Sequence, residues 1–132
     1  MATKLIRDLA YSALPHLVEC ARLKTTITYG ELGVRIGRHH RVVPHVLGCL
    51  RDEVCTPRHL PLINVIVVNK HTRLPGESFL APGTGHLSPE EYRARFEKEK
   101  ERVFAFRQWD ALLAELSIRP LAQGELEPRS GV

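Results

Sequence analysis

Three cysteines, an odd number in 132 residues, cannot frame a disulfide-stapled fold, so a reducing, cytoplasmic setting is expected. No apolar run approaches the ~20 residues that a membrane-spanning helix needs. The opening MATKLIRDLAYS also lacks the apolar core of a signal peptide, so no membrane partner is expected. The chain has no Walker loop, dinucleotide fingerprint, GxSxG elbow or HExxH pair. These absences remove the common motif-borne chemistries, and neither a catalytic residue, a cofactor nor a metal is expected.

What is present is a lopsided distribution of charge. The net charge is a modest +4. From Arg35 to Arg73, however, the basic positions 35, 38, 41, 51, 58, 70 and 73 face only Asp52 and Glu53. Beyond Gly85 the eight basic and nine acidic residues nearly cancel. The positive field is therefore concentrated mid-chain, where it would attract polyanions and speed their encounter.

Apolar residues make up 43% of the chain, enough for one core but not two. A single domain over 1–118 with a flexible tail over 119–132 is expected. Leu5, Leu9, Leu14, Leu17, Val18 and Ala21 recur at helical spacing, so Thr3 to Leu23 reads as an amphipathic helix. Pro15 is expected to kink it or divide it in two. TTITY suggests a short strand. A short helix follows over Gly30 to Ile36, with Leu32 and Ile36 on one face and Gly37 closing it.

After RHHR, Pro44 suits the first turn of a second helix. Val43, Val46, Leu47 and Leu50 form its core stripe, leaving His45, Cys49 and Arg51 on other faces. Leu62 to Val68 reads as a strand buried on both sides. Pro75-Gly76 within Asn69 to Phe79 would turn the chain into a second strand or wing. APGTGH is read as a loop. Ser88-Pro89-Glu90-Glu91 is a helix start with a cap, a first-turn proline and a capping-box glutamate. That helix is expected to reach about Leu116 with a break near Arg107, burying Tyr92, Phe96, Val103, Phe106, Leu113 and Leu116. EKEKER is expected to be its solvated face. Phe96, Phe104, Phe106 and Trp109 there are more than half of the Phe and Trp residues, and aromatics at helical spacing are expected in the core. The expected fold class is α+β, mostly helical: a winged helix-turn-helix-like core with a short sheet and a long C-terminal helix over 88–117.

Several residues carry a family resemblance: Thr28-Tyr29-Gly30-Glu31-Leu32, Ile36-Gly37, RVVPHVLGCLR from Arg41 to Arg51, Pro61 and Val67-Val68. With the lead-in ALPHLVECARLKTTI, the stretch from about Ala13 to Phe79 resembles the DNA-binding domain of alkylguanine-DNA alkyltransferases and alkyltransferase-like proteins. The long helix after Ser88 has no counterpart there. The resemblance implies a winged-helix-like domain that binds the minor groove and flips bases. It places Tyr29 against the phosphate 3′ of an extruded nucleotide. His45 falls where the family has an arginine finger, and histidine is shorter and only partly charged at neutral pH. The family's Pro-Cys-His-Arg is replaced by Ile63-Asn64-Val65-Ile66. Asn64 thus stands where the alkyl-accepting thiolate belongs, and an amide cannot take up an alkyl group by displacement.

The expected interface comprises Arg38, His39, His40, Arg41, His45 and Arg51, with Lys70, His71 and Arg73 from the wing. Tyr29 joins it through the resemblance, and Asn64 as a reader of a base edge. DNA is the expected partner of a non-enzymatic nucleic-acid-binding protein. Alternatives remain open. His45, Cys49, Cys55 and His59 are the residue types of a tetrahedral zinc site. His39 and His40 with Asp52 would suit a metal-dependent nuclease or other hydrolase. The C-terminal helix or the Asn64 groove would suit a protein partner instead.

Overall fold

The computed structural model describes residues 3–76 and 87–121. The chain is mostly helical, with one small parallel sheet. Helix α1 (Lys4–Arg22) is capped by Thr3, whose side chain accepts from the Ile6 N–H. It leads to β1 (Ile27–Thr28) and then directly to α2 (Tyr29–Ile36). A 3-10 turn over His40–Val42 leads into α3 (Val43–Cys49), which continues as a π turn (Leu50–Cys55) and a 3-10 turn (Thr56–Arg58). A further 3-10 turn, Ile63–Ile66, delivers the chain to β2 (Val67–Val68), paired in parallel with β1 through Ile27 to Val67 and Thr28 to Val68. Helices α4 (Pro89–Ala105) and α5 (Trp109–Glu115) follow.

Pro15 does not divide α1, which runs unbroken with Pro15 itself buried. Losing one backbone hydrogen bond and accommodating the ring costs about 3 kcal/mol. Leu14, Leu17 and Val18 are buried around it, at about 1.5–3 kcal/mol each, and outweigh that cost.

The segment Leu62 to Val68 departs further from expectation. Ile63 to Val68 are all buried, but only Val67 and Val68 are strand. The Leu62 N–H donates to Glu99 Oε2 at 2.7 Å, and the Val65 N–H turns back to the Leu62 carbonyl at 3.0 Å. With backbone partners found locally and on α4, the first part of the run turns as a 3-10 helix, and only Val67 and Val68 join a ladder. Residues 69–76 likewise make a turn instead of a returning strand. The Asn69 N–H donates to the Leu74 carbonyl, the Arg73 N–H donates to the Asn69 carbonyl, and Asn69 Oδ1 accepts from His71 and Thr72. The rest of the expected wing (77–79), the APGTGH loop and residues 122–132 of the expected tail lie outside the described residues.

The C-terminal segment breaks at Phe106–Gln108, beside the expected Arg107. Phe96, Val103, Trp109, Leu112 and Leu113 join one buried cluster with α1, α3 and β2. Trp109 Nε1 donates to the Val103 carbonyl at 3.1 Å, and the Phe106 and Trp109 rings meet edge to face at 4.6 Å. Within EKEKER, Glu99 is the exception to solvation: it is buried, and it accepts from Arg102 as well as from Leu62.

Candidate nucleic-acid interface

The start of α2 is fixed by a capping box. Thr28 accepts from the Glu31 N–H, and Glu31 accepts from the Thr28 N–H. Its end is fixed by Gly37 at φ 71°, in the left-handed region that glycine reaches without strain. Gly33 lets the RHHR linker lie against α2, because a Cβ there would sit 2.8 Å from the Arg38 carbonyl oxygen. His39 caps the following 3-10 turn, its Nδ1 accepting from the Arg41 N–H at 3.2 Å, and its ring lies 4.2 Å from that of His40. Pro44 then sits in the first turn of α3, as expected.

This local chemistry leaves Arg38, His39, His40, Arg41 and His45 exposed. Neither Arg38 nor Arg41 has a carboxylate partner among the described residues. Val43, Val46 and Leu47 bury the opposite side of α3. Cys49, outside the expected core stripe, is buried too, and burial pushes its thiol up to about 11. Burial moves Cys20 and Cys55 to about the same value.

Beside this cationic tip lies an open groove of about 1330 Å³. It brings together Tyr29, His40, Arg41, His45, Arg51 and Asn64 from the expected set. Arg38, His39, Lys70, His71 and Arg73 do not line it; the last three are exposed on the Asn69 turn. Arg51 does not project outward as expected. Its side chain is only 11% exposed and forks onto Asp52, Nε to Oδ1 at 2.7 Å and Nη2 to Oδ2 at 2.9 Å. That guanidinium holds the Asp52 carboxyl below its ordinary range. Asn64 is 3% exposed and lies on the 3-10 turn at the groove wall, not on a strand.

Three contributors were hidden from sequence reasoning. Arg7 of α1 reaches Glu53 on the π turn at 3.1 Å, and both line the groove. The Gly76 N–H donates to Tyr29 Oη at 2.7 Å. Tyr92 of α4 donates to the Pro75 carbonyl at 2.9 Å and also reaches the Gly76 carbonyl. Burial raises the Tyr29 phenol pKa, against a smaller lowering by the Gly76 N–H. Only the Pro75-Gly76 turn signal and the aromatic Tyr92 hinted at this; nothing local pairs Arg7 with Glu53.

The alternative sets do not assemble. Cys49 and Cys55 are buried while His45 and His59 are exposed, and no group of three or more His, Cys, Asp or Glu side chains converges among the described residues. Asp52 is engaged by Arg51, and so is not free to orient His39 or His40. No helix among the described residues is long and apolar enough to cross a membrane. Compared with known proteins, the chain matches no family model, no curated protein and no solved structure.

Proposed function

We propose that this is a non-enzymatic DNA-binding protein that docks the N-terminal end of α3 on the sugar-phosphate backbone. The observation that carries the reading is the outward-facing set Arg38, His39, His40, Arg41 and His45, of which His40, Arg41 and His45 line a groove that also holds Tyr29. Cations without carboxylate partners beside a helix start are suited to phosphate contacts. The resemblance to alkyltransferase-like proteins points to the same face, with the Asn69 turn supplying Lys70, His71 and Arg73 from outside the groove. Asn64 in place of a thiolate, and a Cys49 thiol held at about 11, both argue against alkyl transfer.

The test is fluorescence polarisation with single-stranded, duplex and O6-methylguanine duplex oligonucleotides at two salt concentrations. Duplex binding should weaken steeply with salt, by a slope of roughly 0.9 per phosphate contact. An Arg41→Ala/His45→Ala double variant should lose affinity for every sequence. Unchanged affinity in that variant, with the fold intact, would remove this reading and favour a protein partner for the groove.

A further inference from the structure

The Pro75–Gly76 segment is the part of the groove wall held from two sides. From α2, the Tyr29 hydroxyl accepts the Gly76 N–H at 2.7 Å. From the first turn of α4, the Tyr92 hydroxyl donates to the Pro75 carbonyl at 2.9 Å and reaches the Gly76 carbonyl. One phenol accepts and the other donates, so a single peptide unit is gripped through its N–H and its carbonyl at once. Tyr29 spends a lone pair on this bond and keeps its own proton, which has no acceptor among the described residues. A hydroxyl that accepts a hydrogen bond becomes a better donor, because the chain of bonds polarises.

We propose that Tyr92 is a latch: its hydroxyl holds the Pro75–Gly76 wall against Tyr29, and so fixes the Tyr29 phenol as a hydrogen-bond donor facing the groove's ligand. This rests on the groove being the ligand site of the proposed function. The latch is supplied by α4, beyond the stretch that resembles alkyltransferase-like proteins. Tyr92 is therefore a positioning residue, acting through Gly76 and Tyr29 without touching the ligand. Its ring packs against the core, so the Tyr92→Phe substitution removes the hydroxyl and keeps the packing. The wall can also be disturbed from its other side. A Cβ at Gly76 would meet Tyr29 Oη at 3.0 Å, tighter than ordinary contact.

The experiment combines amide hydrogen exchange at Gly76, a thermal melt and fluorescence polarisation with a duplex oligonucleotide. It compares the full chain with its Tyr92→Phe and Gly76→Ala variants. In Tyr92→Phe, Gly76 exchange should speed by roughly two- to tenfold, the worth of one ordinary hydrogen bond. The melt should stay nearly unchanged and duplex affinity should fall by a similar factor. Gly76→Ala should lower affinity in the same direction with Tyr92 intact. Unchanged Gly76 exchange in Tyr92→Phe overturns the latch, and so does faster exchange with unchanged duplex affinity. If the unaltered protein binds no oligonucleotide, the proposed function fails instead, and the exchange result alone decides the latch.

Discussion

Two helical regions of this chain use their cations differently. Around α4 and α5, Lys100 meets Glu97 at 3.1 Å, Arg102 meets Glu99 at 2.9 Å and Arg58 meets Glu115 at 2.7 Å. The remaining cations of α4 are interleaved with Glu90, Glu91 and Glu101, so the local field largely cancels. At the start of α3, Arg38 and Arg41 have no such partners among the described residues, and the neighbouring exposed side chains are imidazoles. The contrast separates charge that fastens the fold from charge left available to something outside it. The groove itself repeats the lesson: Arg7 and Arg51 are answered by Glu53 and Asp52 within it, while Arg41 has no carboxylate partner among the described residues.

The largest effect is expected on the fastening side. Trp109→Ala should destabilise the protein by about 3–5 kcal/mol, the cost of an aromatic cavity in a packed core, as read from urea unfolding. Trp109 is 4% exposed and spends its N–H on Val103. Next in size is Glu99→Ala. It strands the Leu62 N–H and should cost about 1–3 kcal/mol, the penalty for a buried donor left without its acceptor. By contrast, Arg38→Ala with Arg41→Ala should move stability by no more than about 0.5 kcal/mol, while flattening the salt dependence of duplex binding. A stability loss comparable to that of Trp109→Ala would show that these arginines fasten the fold after all.

Asp52→Asn sharpens the contrast from the other direction. It leaves Arg51 facing an amide in place of a carboxylate, so the groove gains a net positive charge. Duplex affinity should rise, and the salt slope should steepen by roughly 0.9 if one more phosphate is neutralised. A fall in affinity would mean that the Arg51–Asp52 fork shapes the groove instead of neutralising it.

Much of the fold was legible because its signals are local. Ser88 with Glu91 is a capping box expected from spacing alone, and it forms; Thr28 with Glu31 forms a second that was not expected. Gly37 and Pro44 end and start helices where their backbone chemistry requires it. The apolar run from Leu62 to Val68 announced burial correctly and geometry incorrectly. A continuous apolar run carries no period, so nothing in it separates a strand from a 3-10 turn whose N–H is taken by a distant glutamate. The π turn at Leu50–Cys55, which widens the helix beside Arg51 and Asp52, has no sequence signature either. Of the site, the cationic tip was readable because Arg and His cluster within a few positions. The groove was not, since Arg7 with Glu53, and Tyr29 with Gly76 and Tyr92, are brought together only by the fold.

Near neutral pH the smallest expected effect concerns the thiols, and it tests the buried side of α3 against its exposed side. Burial holds Cys20, Cys49 and Cys55 at about 11 in the folded chain, against an ordinary value of about 8.5 when unfolded. Between those limits the unfolded chain releases thiol protons that the folded chain retains, so stability must fall as pH rises from about 9 toward 11. Below that window the three thiols contribute no pH dependence. At pH 8, then, iodoacetamide should label the native protein slowly and the urea-unfolded protein rapidly, because the thiolate is the reacting species. Cys49 is the informative one, as it lines the groove yet lies on the packed side of α3. Rapid native labelling at Cys49 alone would place that thiol in the groove's aqueous space, and would move the boundary between the two faces of the helix.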